Sequence, residues 1–197
     1  MAASFSGRDA GKAKALAEQL GRGTRHGSEA DAAAFAEVVV LATRHEAVFD
    51  AMEAAGGPDA LAGKVLLDIN NPVSIVDGDF LAKTFDGKSL AEAIAAYTPA
   101  ARVVKAFNRC NAVVWQMEPP VFDGRRLVVL YCGDAAAAKQ KVAALIENTG
   151  GEAADLGELK YARLLEPAAA IVIKFILAGR DSRTVLNLIQ PEVKRIA

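Results

Sequence analysis

The chain has 197 residues, 52% of them apolar and 24% charged, which is typical of a globular protein with one ordinary core. Lys and Arg number 23 against 24 Asp and Glu, and no block of like charge predicts a nucleic-acid or membrane surface. The two cysteines, Cys110 and Cys132, fit no close-spaced metal or redox motif and indicate packing roles in a reducing cytoplasm.

The longest apolar tract covers residues 167–179 and is interrupted by Lys174. It is shorter than the ~20 residues that a membrane-spanning helix needs, so it predicts a core helix instead. The first residues, MAASFSGRDAGK, lack the basic region and the apolar core of a signal peptide. A cytoplasmic protein without a membrane partner is therefore expected.

The N-terminal segment predicts two short strands, each followed by a helix. Residues 3–6 are strand-like, and Asp9 can cap a helix that runs to Leu20. A second short strand is predicted at 23–27, and Ser28 can begin an alanine-rich helix after it. The chain thus opens with the alternation of an α/β fold.

Residues 38–46, VVVLATRHE, form the clearest strand signal, because four large apolar residues are followed abruptly by polar ones. That pattern is typical of a strand buried on both faces whose carboxyl end opens toward solvent. The same pattern recurs at 65–72 (VLLDINNP) and 102–108 (RVVKAFN). Since open α/β sheets bind ligands at the carboxyl ends of their strands, these three loops predict a site for a small molecule or nucleotide.

The remaining elements continue the alternation, and no repeat or linker divides the chain. The predicted elements are a helix over 45–55 stopped by Gly56, Gly57 and Pro58, an irregular loop over the site at 73–86, a helix from Ser89 to Ala96, a strand at 126–132, a helix from Asp134 to Asn148, a strand at 152–155, a helix over 159–177 and a final helix from Asp181. Strands that are nearly continuous in apolar residues imply right-handed crossovers and a mainly parallel sheet covered on both faces. We predict a single doubly wound domain over residues 1–197.

Two cations, a hydroxyl and a helix start converge after the first strand. Ser6, Gly7 and Arg8 end that strand, and Lys12 lies one turn into the next helix. Such a set suits a phosphate monoester, and in a dinucleotide fold this position reads the adenosine ribose, where Arg accommodates the 2′-phosphate of NADP. A solvated cationic turn is the alternative interpretation.

Six motifs, in this order, carry a resemblance to a known family. They are SGRDAGKA, VVVLATRHEAV, LLDINNPV, VVKAFNRCNA, YCGDAAAAKQKV and DLGELKYARLLEPAAAIVIK. The chain resembles the NADPH-dependent reductases of the deazaflavin coenzyme F420, and the cytoplasmic reductase domains of the STEAP ferric reductases are similar. The resemblance implies NADP(H) as cofactor, a deazaflavin (F420) or flavin as hydride acceptor, and a homodimer with C-terminal helices 159–197 at its interface.

The resemblance also assigns site residues by position. They are Ser6, Gly7, Arg8 and Lys12 at the 2′-phosphate, Ala42, Thr43 and His45 at the pyrophosphate and nicotinamide ribose, Asn70, Asn71 and Pro72 beside the nicotinamide, and Lys105, Phe107 and Asn108 near the acceptor. None is an obvious acid or base, because hydride transfer depends mainly on holding donor and acceptor together and excluding water. No catalytic side chain and no metal ligand is identified.

Several of these residues have a structural interpretation of equal weight. His45 would contact phosphate or ribose, or it would begin a helix with its ring in solvent, and His26 is expected at the surface. Lys105 would point toward the site or into the edge of the sheet. Phe107 and Trp115 would stack on a flat ring system or belong to the core.

The departure from the family is the absence of a G-x-G-x-x-G turn anywhere in the sequence. We therefore expect a chain truncated at its N-terminus, without the first strand and helix of the fold. The strands at 3–6 and 38–42 would then each have an unpaired edge, unless they meet each other, a partner chain or a rearranged segment. The alternative function is a catalytically silent member that acts as a binding or assembly module. A third possibility is an imine reductase such as a pyrroline carboxylate reductase, which shares the nucleotide domain but has a different helical C-terminal domain.

Overall fold

The computed structural model describes residues 2–21, 23–110, 112–117, 119–122 and 124–180. Within them the strands are β1 (Ser4–Phe5), β2 (Arg25–His26), β3 (Val38–Leu41), β4 (Val65–Asp68), β5 (Val73–Val76), β6 (Asp79–Ala82), β7 (Arg102–Lys105), β8 (Val121–Phe122), β9 (Arg125–Arg126), β10 (Val128–Gly133) and β11 (Glu152–Asp155). The α-helices are α1 (Ala10–Leu20), α2 (Glu29–Phe35), α3 (Val48–Ala54), α4 (Gly57–Leu61), α5 (Leu90–Tyr97), α6 (Ala136–Asn148) and α7 (Ala162–Leu177). Short 3-10 helices lie at His45–Ala47, Ala112–Gln116 and Leu159–Tyr161. No helix among these residues has the length and apolar character needed to cross a membrane.

The centre of the molecule is a five-stranded sheet with the order β11-β10-β7-β4-β3. Strands β3, β4 and β7 are parallel, β10 is antiparallel to β7, and β11 is parallel to β10. The register places Leu41 opposite Asp68 and Asp68 opposite Lys105, so three consecutive strands end side by side. The prediction of a Rossmann-like, mainly parallel sheet is confirmed.

Both faces of this sheet are covered, as the apolar strands predict. Side chains alternate along β4, so Leu66 packs on one face while Val65 and Leu67 pack on the other. One face packs against α6 through Ala138, Val142 and Ile146. The opposite face packs against buried side chains of helices α2, α3, α4, α5 and α7: Ala33, Val48, Met52, Leu61, Leu90, Ile94, Ala162 and Leu165. The architecture is doubly wound.

Of the four residues predicted to begin these helices (Asp9, Ser28, Ser89 and Asp134), three are N-caps. Asp9 accepts a hydrogen bond from the Lys12 N–H, and Ser28 and Ser89 each form a capping box with the acidic residue three positions later. The prediction for Asp134 is wrong, because α6 begins at Ala136 without a side-chain cap. Asp134 instead accepts the Leu159 N–H at 2.8 Å and ties the end of β10 to the start of the last helical segment.

The segment 73–86 is not an irregular loop, as predicted, but contains a β-hairpin. Strands β5 and β6 pair antiparallel around Asp77 and Gly78, whose φ angles of 51° and 82° are those of a tight hairpin turn. The hairpin packs beside α7, where Lys174 and Asp79 form an ion pair at 2.5 Å. Likewise, α3 ends where predicted, but Gly57 and Pro58 begin α4 rather than a loop. The predicted helix from Asp181 lies outside the described residues.

The first two strands form a separate sheet. β1 pairs with β2 in parallel, and the two strands have no ladder with the five-stranded sheet. β3 therefore ends the central sheet, and among the described residues no strand pairs with its outer edge. The Val40 side chain on β3 is 49% exposed. In the part of the chain that the structure describes, β1 and β3 thus do not meet each other, which agrees with the expectation that each strand has an unpaired edge.

Candidate functional site

The carboxyl ends of β3 and β4 open into a cavity of about 400 Å³, called here the first cavity. Because Leu41 and Asp68 are in register, the polar segments that follow them emerge together at one edge of the sheet. The cavity is lined by Ala42, Thr43, Arg44, His45, Glu46, Ile69, Asn70 and Asn71. Five of the residues predicted to bind the cofactor (Ala42, Thr43, His45, Asn70 and Asn71) are therefore brought together.

Asn70 shapes this cavity rather than presenting a free amide to it. The side chain is buried, and its Nδ2 donates to the Leu41 carbonyl and to Asp68 Oδ1, both at 2.8 Å. The Asn70 N–H donates to the same Asp68 oxygen at 3.0 Å. These bonds join the ends of β3 and β4, so Asn70 fixes the width of the cavity between the two strands.

Lys105 lies beneath the site in a buried cluster of charges. Its Nζ donates to Asp68 Oδ2 at 2.8 Å and to the Asn70 carbonyl at 2.6 Å, and lies 3.4 Å from Glu166 Oε1. Glu166 in turn accepts the backbone N–H groups of Leu90 and Ala91, and its burial raises the pKa of its carboxyl. The Lys105 side chain has no exposed surface, so it supports the loop that follows β4 and does not face a ligand.

His45 forms part of the wall of the first cavity with a largely covered ring. Its side chain is 10% exposed, and its Nδ1 lies 3.5 Å from Glu46 Oε2. Burial lowers the pKa of His45; Glu46 opposes this shift, and Lys83 and Arg44 add to it. The ring is therefore neutral at pH 7 and can donate or accept a hydrogen bond without bringing a charge to the cavity.

The predicted 2′-phosphate residues lie apart from the first cavity, at the start of α1. Ser6, Gly7 and Arg8 are exposed, and among the described residues Arg8 has no ion-pair partner. The Lys12 side chain is 86% exposed, with its Nζ 3.7 Å from Asp9 Oδ2. Both cations are therefore available to an anion at the N-terminus of an 11-residue helix.

A second cavity of about 290 Å³ adjoins the first, and Asn71 lines both. Its polar side consists of Asn71, Asn108, Arg109 and Cys110, and its other lining residues are Ala112, Ala169, Val172, Ile173, Ile176 and Leu177. The buried Asn108 donates through Nδ2 to Asn71 Oδ1 at 3.2 Å and to the Leu165 carbonyl at 3.0 Å. Asn108 thus connects the loop after β7 with the loop after β4 and with α7.

The sequence reasoning missed the apolar wall of the second cavity and Arg109. The signal for the wall was present, because Ala169, Val172, Ile173 and Ile176 recur at the spacing of one helix face. The α7 helix is held in place at its start by Arg163, which donates to both carboxylate oxygens of Glu92, at 2.8 and 2.7 Å. Arg163, together with Ser89, lowers the pKa of Glu92 to about 2.

Three other residues singled out in the sequence, Phe107, Pro72 and Cys132, pack within the protein and are not among the residues that line the two cavities. Phe107 has a φ of 60° and contacts Trp115 edge-to-face at 5.0 Å between ring centroids, on the sheet face covered by α6. Pro72 is buried, and its carbonyl accepts the Lys83 N–H where the hairpin closes. Cys132 is buried in the core, which raises its pKa to about 12, whereas the half-buried Cys110 lines the second cavity. Among the described residues no cluster of His, Cys, Asp and Glu is arranged to hold a metal ion.

Comparison with known proteins gives a consistent set of relatives. The family model described as NADP oxidoreductase coenzyme F420-dependent matches residues 3–72. A solved structure from Arthrobacter sp. FB24, provisionally assigned as an F420-dependent NADP-reductase, is 33% identical with a TM-score of 0.76, covering 89% of this chain and 83% of that one. A hypothetical protein from Sinorhizobium meliloti is 25% identical with a TM-score of 0.67, covering 95% and 83%.

Among curated proteins, the rat metalloreductase STEAP3 is 37% identical to this chain over 108 residues. The match covers 55% of this chain but only 20% of STEAP3, so the matched segment makes up about a fifth of that relative.

Proposed function

The chain belongs to the NADP oxidoreductase coenzyme F420-dependent family, and on that premise we propose that it transfers hydride between NADP(H) and a deazaflavin (F420) or flavin-type acceptor. The observation that supports this proposal is the pair of adjoining cavities that share Asn71. A reaction between two bound ring systems needs two sites in contact, since donor and acceptor carbons must approach closely.

The first cavity fits the nicotinamide half of the cofactor. Its wall offers the Thr43 hydroxyl, the neutral His45 ring and the Asn71 amide, which suit a ribose and a carboxamide. Arg8, Lys12 and Ser6 would hold the 2′-phosphate at the start of α1. When bound there, NADPH supplies the hydride, and the residues of the chain orient the ring and exclude water.

A second candidate function is that of a catalytically silent binding module. One observation favours it: the 197 residues contain no G-x-G-x-x-G turn, which in dinucleotide folds brings backbone N–H groups to the pyrophosphate. Titration with NADPH and with NADH, followed by nicotinamide fluorescence, separates the two candidates. If neither nucleotide binds at millimolar concentration, the oxidoreductase proposal is wrong for this polypeptide.

The 2′-phosphate assignment predicts a selective effect of Arg8→Ala. We expect NADPH binding to weaken by about tenfold, because one charge-assisted hydrogen bond contributes ~1.5 kcal/mol, while NADH binding is unchanged. The same fluorescence titration measures both affinities. Arg125→Ala, which removes an exposed arginine from β9, is the matched control. An equal loss of NADPH and NADH affinity in Arg8→Ala would refute the assignment.

We propose that two copies of the chain pair through the C-terminal region, within residues 159–197. Exposed apolar side chains on α7 and on the adjacent hairpin support this: Ile75, Leu81, Leu164, Ile171 and Phe175. Leu164→Glu, on α7, is expected to raise the dimer dissociation constant by at least about tenfold, as measured by sedimentation velocity, since a buried unpaired charge opposes association. Leu16→Glu on α1 is the control and should leave it unchanged. A monomeric wild-type protein contradicts the proposal.

A further inference from the structure

Arg109 lines the second cavity but is not among the residues predicted to bind the cofactor or the acceptor. It follows Asn108 in the loop after β7, and its Nε is buried with no hydrogen-bond partner in the part of the chain that the structure describes. Among the described residues its guanidinium has no ion pair either, unlike Arg163 and Arg126, which each pair with a glutamate. A buried N–H group of a charged side chain without a partner is costly, and a bound ligand that accepts a hydrogen bond from it would remove that cost.

The residues around Arg109 indicate which kind of ligand could accept hydrogen bonds from its guanidinium. Among the described residues that line the second cavity, Arg109 alone carries a formal charge at neutral pH. The opposite wall is the apolar face of α7, formed by Ala169, Val172, Ile173 and Ile176. Asn71 and Asn108 already bond to each other, which leaves the guanidinium as the strongest free donor. The second cavity therefore combines an apolar wall with one cationic group, the guanidinium of Arg109.

We propose that Arg109 determines acceptor specificity by pairing with an anionic substituent, a phosphate or carboxylate, on an acceptor whose flat ring lies against α7. This rests on the proposed function, because it assigns the second cavity to the acceptor. The planar guanidinium matches phosphate and carboxylate oxygens bidentately, and the low local polarity strengthens that bond. Arg109 would select among acceptors through this charge and need not touch the reacting atoms.

Two flavins that differ by one phosphate test this inference directly. Quenching of flavin fluorescence in the wild-type protein should show that FMN, which carries a phosphate, binds at least tenfold more tightly than neutral riboflavin. Arg109→Met should bind FMN only as weakly as riboflavin, with riboflavin affinity unchanged. Arg109→Lys keeps the positive charge but loses the bidentate geometry of the guanidinium, so it should retain part of the preference for FMN over riboflavin. Arg125→Met, on β9 and outside the cavity lining, should behave as wild type.

The possible results separate this inference from the proposed function. Equal affinity of the wild-type protein for the two flavins overturns the inference, as does a parallel loss of both flavins in Arg109→Met. Failure of FMN to bind at millimolar concentration overturns it as well. Nicotinamide fluorescence of the same variants tests the NADPH site independently, because Arg109 does not line the first cavity. If circular dichroism shows that Arg109→Met does not fold, Arg109→Lys serves as the test instead. An undiminished preference of Arg109→Lys for FMN would contradict the proposed bidentate pairing by the guanidinium.

Discussion

Lys105→Met is expected to lower the free energy of unfolding by about 3–5 kcal/mol, because it leaves buried carboxylates without their cation. Asp68 is fully buried and Glu166 is 2% exposed, so neither can regain water in place of Lys105. Methionine fills most of the volume of lysine, which separates the loss of charge from the loss of packing. Denaturation by urea, monitored by circular dichroism, measures the change.

Two further variants make this prediction specific to the buried cation. Lys141→Met removes an exposed lysine that pairs with Glu37 and should change stability by less than about 0.5 kcal/mol. Glu166→Gln should cost less than Lys105→Met, about 1–3 kcal/mol, since it removes a charge but leaves only one oxygen to accept the N–H groups of Leu90 and Ala91. A loss of less than about 1 kcal/mol in Lys105→Met would show that the cluster tolerates an unpaired carboxylate.

The local features of the fold could be predicted from sequence because they depend on neighbouring residues. Apolar runs ended by polar residues located β3, β4 and β7, and the serines at 28 and 89 located two helix starts. The parallel order then brought the strand ends to one edge. The order of the parallel strands was therefore enough to place five predicted cofactor residues in one cavity, although no contact between them is evident from the sequence.

The features that sequence reasoning missed depend on distant partners. Asp134 looked like a cap, but the N–H that it accepts belongs to Leu159, which is 25 positions away. Lys105 was ambiguous because Asp68 and Glu166 approach it only in the folded chain. Strands β5 and β6 both carry exposed apolar residues, so the alternation of apolar and polar residues that predicts a half-buried strand is missing. The hairpin also packs against α7, a contact that forms only in the folded chain.

The assignment of the 2′-phosphate residues stays a prediction: Arg8 is exposed and has no ion-pair partner among the described residues, whereas Lys12 lies 3.7 Å from Asp9. The acceptor residues divide in two. Asn108 lines the second cavity, whereas Lys105 and Phe107 pack beneath the site. Among the described residues, Asn71 alone lines both cavities, and its place between them could be read only from the structure.

Asn71→Phe is expected to slow hydride transfer by about 100-fold, while NADPH affinity falls by about tenfold or less, the cost of one neutral hydrogen bond to the nicotinamide. Asn71 is half-buried where the cavities meet, and a phenyl ring there separates the donor ring from the acceptor ring. A displacement of the reacting atoms by about 1 Å suffices for a loss of that size. The measurement is a single-turnover decay of NADPH absorbance with F420 or FMN in excess, beside a fluorescence titration of NADPH.

Asn71→Ala serves as the control for spacing, because it removes the amide that accepts from Asn108 but leaves the passage between the cavities open. Asn108 still donates to the Leu165 carbonyl, so the loop after β7 keeps its tie to α7. We expect Asn71→Ala to slow transfer by about tenfold or less, the cost of one neutral hydrogen bond. If alanine slows the reaction as much as phenylalanine, the amide itself acts on the reactants, and the contact between the cavities is not what limits transfer.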